Sequence, residues 1–344
     1  MSGSGTTSPP VVRPRPLRPG DTIGICAPSM AHAARYPRRR ERAVAHLEEL
    51  GYRVRCGQNW LRDTGHTAGT AAERAADLHE LYADDRVRAV MTSIGGYNAN
   101  QLLDLLDYDL IRAHPKPLVG YSDTTALLVA IWQRTGTAVV LGPQLLPQWG
   151  EAGGSLEYTR RFFQRVLGSP EPLGPVPFPA EQVTEFLPWD EADDRPRTVL
   201  DAVPARALRA GRATGFLIGG NLETLLSLAG TPYWPELDGA ILLLESTGTD
   251  PGRLTAQFTQ LRHTGALDRI AGLALGRFTD PEFDRSDTLA ELIAGETAGF
   301  AGPVVAGLPF GHTDPMLSLP FGARAELTSG PVCGLTVLDG AVSA

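Results

Sequence analysis

The segment Pro117–Thr125, PLVGYSDTT, runs a short apolar stretch into Gly120-Tyr121-Ser122-Asp123, and a helical pattern begins at once. A serine on such a strand-to-helix turn projects its hydroxyl from the C-terminal edge of a sheet. The amide N–H groups of the helix start face the same space. That arrangement suits a nucleophile, because donors for a developing oxyanion are already in place. The competing role for Ser122 is a plain helix N-cap. Thr124 stands two residues after Ser122, so the G-x-S-x-G elbow of α/β-hydrolases is absent.

A serine nucleophile needs a base, and His312 has the most suggestive setting of the seven histidines. It lies in Gly307–Pro315, GLPFGHTDP, where two glycines and two prolines constrain a loop that follows an apolar strand. His46 and His79 fall within helical patterns and are expected to face solvent. A base in turn needs an acid to orient its second nitrogen. Glu245 ends the apolar run AILLLE, where a carboxylate is costly without a partner. The plainer readings are an ordinary loop histidine and a charge marking where a strand surfaces. Gly95 and Gly96, followed by Tyr97, end another strand on the same edge. Paired glycines allow close backbone approach to a ligand and a second oxyanion N–H. Asn221 follows Gly219-Gly220 and can cap the next helix or face a ligand. Trp189, inside the polar stretch Leu187–Asp190, is either a stacking platform for a ring or part of a satellite core.

The elements that must position these residues alternate. Strands are expected at Thr22–Ala27, Tyr52–Cys56, Val87–Ile94 and Pro117–Gly120, with helices at Arg38–Leu50, Ala71–Tyr82, Gln101–Leu106 and Asp123–Arg134. Alternation of this kind implies a parallel, Rossmann-like sheet with right-handed crossovers. Residues 143–204 are rich in proline and glycine and read as an irregular connection with one helix, Leu156–Leu167, and a possible substrate loop. Its acidic cluster, Asp190, Glu191, Asp193 and Asp194, and the run Arg38-Arg39-Arg40 read as solvated surface. Beyond residue 205, strands are expected at Ala240–Glu245, Ile270–Arg277, Pro303–Gly307, Arg324–Thr328 and Cys333–Leu338, with helices at Leu222–Ala229 and Leu254–Thr264. The division is therefore a flexible tail (1–18), an N-terminal α/β domain (19–150), the connection (151–204) and a C-terminal α/β domain with a mixed sheet (205–344). The site is expected between the two domains.

With 344 residues, 42% of them hydrophobic, the chain can bury such a core. A net charge of −8 disfavours a nucleic-acid partner. No apolar stretch is long enough for a membrane span or resembles a signal peptide, so a cytoplasmic location is expected. Three dispersed cysteines indicate neither a disulfide framework nor a metal ribbon. P-loop, dinucleotide and H-E-x-x-H motifs are absent, and neither metal nor cofactor is expected.

Six segments in order, GDTIGICAPS, SIGGYN, DYDLIRAHPKPLVGYSDTTALL, GFLIGGNLETLLSLAGT, LLLE and GLPFGH, resemble the LD-carboxypeptidase family of serine peptidases. The resemblance implies Ser122 as nucleophile, Glu245 and His312 as its partners, the N–H groups of Asp123 and Gly96 as oxyanion hole, and a homodimer. Gly95, Tyr97, Trp189 and Asn221 are the expected substrate contacts. GPQLLPQWGE and FLPWDE look more like the branch of microcin C immunity proteins, which cut an amide joining an aminoacyl group to a nucleotide-like moiety. The alternative branch removes D-alanine from cell-wall tetrapeptides. A reading of another class is a two-domain binding protein that holds a small ligand in its cleft without turnover.

Overall fold

The computed structural model describes residues 11–279 and 286–344. The described residues fold around two large sheets, with a two-stranded ribbon, Glu181–Gln182 and Leu200–Asp201, in the connection. The first has the strand order Leu319–Pro320, Val140–Leu141, Leu118–Gly120, Val87–Thr92, Thr22–Cys26, Arg53–Cys56. Its pairings are parallel except at Leu319–Pro320, an antiparallel edge supplied from late in the chain. The second sheet is mixed: Gly211–Asn221, Ile241–Thr247, Gly272–Thr279 and Val304–Ala306 run parallel, while Arg324–Ser329, Gly334–Val337, Gly174–Pro175 and Arg206–Arg209 pair antiparallel around them.

The reason these segments form strands is legible in their burial. Ile241 to Ser246 are all buried, as a strand covered on both faces requires, and the sequence there is continuously apolar up to Glu245. Each buried leucine contributes roughly 1.5–3 kcal/mol. The helix Ala71–Ala83 starts on a capping box: Thr70 Oγ1 accepts the Glu73 N–H at 3.2 Å, and the Glu73 carboxylate accepts the Thr70 N–H at 2.8 Å. The helix Pro37–Glu49 starts with proline at its first position.

Several elements differ from expectation. Residues 1–10 of the tail lie outside the described residues, but residues 11–18 are docked. Val12 N–H donates to Gly136 O at 2.7 Å, and buried Leu17 donates its N–H to Leu167 O at 2.8 Å. The long strand Gly211–Asn221 was not expected, because its four glycines dilute the apolar signal. The segment expected to be helical at Gln101–Leu106 is a single 3₁₀ turn, Ala99–Leu102, followed by the helix Tyr108–Ala113, which Asp107 caps.

Candidate active site

The turn that carries Ser122 follows the strand Leu118–Gly120. Ser122 has φ +60°, the left-handed region, and among the described residues it is the one non-glycine there. Such a backbone costs about 1–3 kcal/mol and persists where neighbours over-determine it. Here the neighbours are specific. A Cβ on Gly120 would lie 2.5 Å from Thr92 Oγ1. The buried Gln144 amide nitrogen lies 3.0 Å from each of Tyr121 O, Thr92 Oγ1 and Thr124 Oγ1.

His312 Nε2 lies 3.1 Å from Ser122 Oγ, and His312 Nδ1 lies 2.6 Å from Glu245 Oε2. With the Nδ1 proton held toward the carboxylate, Nε2 is left to accept the serine proton. Glu245 is fully buried. Its charge is compensated by donors: Oε2 also accepts the His312 backbone N–H at 3.2 Å, and Oε1 accepts from Asn221 Nδ2 at 3.2 Å. Gly311, with φ +87°, permits this approach, since a Cβ there would sit 2.3 Å from Glu245 Cγ. Tyr121 packs edge-on against the His312 ring with centroids 5.0 Å apart.

The glycine pair lies against the same turn. A Cβ on Gly95 would be 2.8 Å from Ser122 Oγ, and one on Gly96 (φ +148°) would be 2.3 Å from Ser29 Oγ. Buried Asp123 ties this loop down: its Oδ2 accepts the Ser29 hydroxyl at 2.5 Å and the Ala99 N–H at 2.8 Å. Burial raises the Asp123 carboxyl above the usual range, and these hydrogen bonds oppose that rise. Asn221 caps the helix Leu222–Leu226 through Thr224 N–H, one of its expected roles, and also touches Glu245 and lines the cleft.

The cleft has a volume of about 1280 Å³ and takes in Gly95, Gly96, Tyr97, Ser122, Trp189, Asn221 and His312. Tyr97 is 73% exposed at its mouth. Trp189 packs its ring under the Arg39 guanidinium, 4.2 Å from the ring centroid, with Tyr36 and His32 edge-on.

Two surface readings are corrected here. Arg39 is buried rather than solvated: it pairs with Glu151 and, at 2.5 Å, with Asp193. Asp193 in turn pairs with Arg42 at 2.5 Å. Glu151 continues to Arg197 at 2.8 Å, and Arg197 pairs with Asp314, two residues past His312. The partners lie far apart in sequence, so local charge patterning could not reveal them. His46 and His79 are likewise half-buried, His46 Nδ1 lying 3.3 Å from Trp149 O and His79 Nε2 accepting the Asp107 N–H at 2.9 Å. Ser29, Tyr121, Gln144 and Arg197 are site residues that sequence reasoning missed. The apolar context of Tyr121 beside the serine was the one available signal.

The fold and this geometry define a two-domain serine hydrolase. The family models of the LD-carboxypeptidase N-terminal domain and C-terminal domain match residues 23–142 and 214–327. The chain belongs to the LD-carboxypeptidase family. It is 32% identical over 320 residues to a probable murein peptide carboxypeptidase of Bacillus subtilis, covering 92% of each chain. It is also 32% identical over 319 residues to the microcin C7 self-immunity protein of Escherichia coli, covering 91% of this chain and 92% of that one. Solved structures of a microcin C7 self-immunity protein superpose with a TM-score of 0.89 at 29% identity over 96% of this chain. That protein is seen with glutamyl sulfamoyl guanosine (99% of its chain covered), with aspartyl sulfamoyl adenosine (100%) and, as a tryptophan-to-phenylalanine mutant, with adenosine monophosphate (100%).

Proposed function

We propose that this protein hydrolyses the amide between an aminoacyl or peptidyl group and a nucleotide-like leaving group, with Ser122 as nucleophile, His312 as general base and Glu245 as the group that orients it. The observation that carries the reading is the continuous Glu245–His312–Ser122 hydrogen-bonded line, set in a cleft that also holds Trp189. His312 Nε2 takes the Ser122 proton as the oxygen attacks the carbonyl carbon. The oxyanion is received by the N–H groups of Asp123 and Gly96. His312 then protonates the leaving nitrogen, and a water molecule, deprotonated by His312, releases the acyl group from Ser122. Glu245 stabilises the imidazolium between these transfers.

Trp189 offers a ring on which a purine can stack, consistent with the ligands held by the immunity protein. Tyr97 and Gly95 complete the substrate contacts in this reading. The same proposal includes a cytoplasmic site of action and a homodimer. Among the described residues no helix is long and apolar enough to cross a membrane. Removal of D-alanine from a cell-wall tetrapeptide is the second reading, supported by the equal identity to the B. subtilis carboxypeptidase.

Turnover of an aminoacyl sulfamoyl adenosine and of a tetrapeptide ending in D-alanine, measured side by side, separates the two. The nucleotide conjugate is expected to have the higher kcat/KM. Trp189→Ala should raise its KM roughly tenfold while leaving the peptide near its original value. Equal losses on both substrates would remove Trp189 from recognition, and preference for the peptide would select the second reading.

A further inference from the structure

Three strand ends meet at the Ser122 turn. In the first sheet Val87–Thr92 lies between Leu118–Gly120 and Thr22–Cys26. The loop that follows Val87–Thr92, with Gly95 and Gly96, therefore stands between the turn of Ser122 and the loop of Ser29. One side chain spans all three. Asp123, 3% exposed, accepts the Ser29 hydroxyl and the Ala99 N–H on the same oxygen, Oδ2, at 2.5 and 2.8 Å. Ser29 Oγ in turn accepts the Asn98 N–H at 3.4 Å, and the Met30 N–H donates to Gly95 O at 3.2 Å. The glycine loop is thus held on both sides of Gly96. Buried Arg74 grips the neighbouring carbonyls, its Nη1 donating to Pro28 O and, at 3.0 Å, to Asn98 O. Its positive charge favours the ionised form of Asp123 against the burial that opposes it.

Gly96 needs such a frame, because a residue without a Cβ has little conformational preference of its own. Among the described residues no backbone carbonyl takes the N–H of Gly96 or of Asp123, and both residues line the cleft. Donors for an oxyanion act fully only when they are fixed before the charge develops. A misplacement of about 1 Å costs on the order of 10²-fold in rate. The Asp123 amide has a part in the hydrolase reading, and its carboxylate has none there, although it is the group that ties the glycine loop to the turn.

We propose that the Asp123 carboxylate is a positioning group: through Ser29 and Ala99 it fixes the Gly96 N–H beside the Asp123 N–H, so that the two converge on one oxyanion. The inference rests on the hydrolase reading above and holds for either of its substrate classes.

Asp123→Ala, Asp123→Asn and Ser29→Ala are assayed on whichever substrate wild type turns over, the aminoacyl sulfamoyl adenosine or the tetrapeptide ending in D-alanine. Asp123→Ala keeps the backbone N–H of residue 123, so its loss reports the loop it no longer ties. Its kcat should fall roughly 10²-fold, with KM within about threefold of wild type. Asp123→Asn still offers an acceptor oxygen to Ser29 and Ala99 and should recover about tenfold of that loss. Ser29→Ala removes one tie and should lower kcat roughly tenfold. N-acetyl-alanine boronic acid reads the oxyanion donors without turnover: Ser122 Oγ bonds to boron, its proton passes to His312, and the boron becomes a tetrahedral anion. Its Kd should rise across the variants in proportion to the fall in kcat. Should Asp123→Ala fail to fold by its melting curve, Asp123→Asn and Ser29→Ala are read by the same criteria with smaller expected losses. An unchanged kcat, a loss carried by KM, no recovery in Asp123→Asn, or a boronate Kd that does not follow kcat overturns the positioning role and leaves the hydrolase reading intact. Absence of boronate binding to an active wild type overturns it as well. Wild type that turns over neither substrate and takes no boronate sinks the hydrolase reading, and the positioning role with it.

Discussion

Ser122 carries two costs at once, a left-handed backbone and a hydroxyl held on an imidazole, and the two can be separated by substitution. Ser122→Ala removes the oxygen and keeps a Cβ at φ +60°. Ser122→Gly removes both the oxygen and the steric penalty. Turnover should fall by at least about 10³-fold in each, since the residual rate comes from binding and the oxyanion donors alone. Their stabilities should differ, with the glycine variant more stable than the alanine variant by about 1 kcal/mol. Urea unfolding of the two proteins measures the difference, and equal midpoints would mean that the turn is not strained. Serine at such a position was suggested by PLVGYSDTT. The strain itself was not, because φ depends on the packing around Gly120, Thr92 and Gln144.

At the scale of elements, the geometry of the proposed triad is set where strands end. Ile241–Thr247 places Glu245, Leu118–Gly120 delivers Ser122, and the loop after Val304–Ala306 presents His312. Gly311 is the point at which that loop must pass Glu245. Gly311→Ala adds a methyl into 2.3 Å of Glu245 Cγ at a positive φ. The loop must then move, so kcat should drop roughly 10²-fold while the rest of the chain stays folded. Steady-state kinetics with a melting curve tests this, and a fully active Gly311→Ala would show that the loop has room to spare. The apolar runs made most of these strands readable. Gly211–Asn221 escaped because a strand that must pass close to its neighbours uses glycine, and glycine carries no hydrophobic pattern. A Cβ on Gly219 would lie 2.0 Å from Leu243 O.

Across the whole molecule, the connection between the domains is fastened by alternating charges from Arg42 through Asp193, Arg39, Glu151 and Arg197 to Asp314. The strand bridge at Val183, whose N–H donates to Asp314 O at 2.8 Å, reinforces it. The chain joins the helix Pro37–Glu49 to the loop of His312, so it couples the Trp189 wall of the cleft to the proposed base. Arg197→Met strips the counter-charge from Asp314, whose carboxyl burial already pushes upward. It should cost about 3–5 kcal/mol of stability. Adding Asp314→Asn should restore much of this, because the remaining partner, Glu151, keeps Arg39. Additive losses in the double variant, measured by urea unfolding, would argue against a coupled network.

The linear chain by itself determined the alternating elements and singled out Ser122, His312 and Glu245, which the fold brings within hydrogen-bonding reach. Those depend on local apolar periodicity, turn chemistry and the cost of a carboxylate at the end of a buried strand. Only the tertiary structure decided that the Arg39 and Asp193 side chains are interior and that Leu319–Pro320 crosses to the first sheet. Each of these depends on which distant residue arrives opposite it. Charge and burial are pairwise properties of space, and a sequence states only half of each pair.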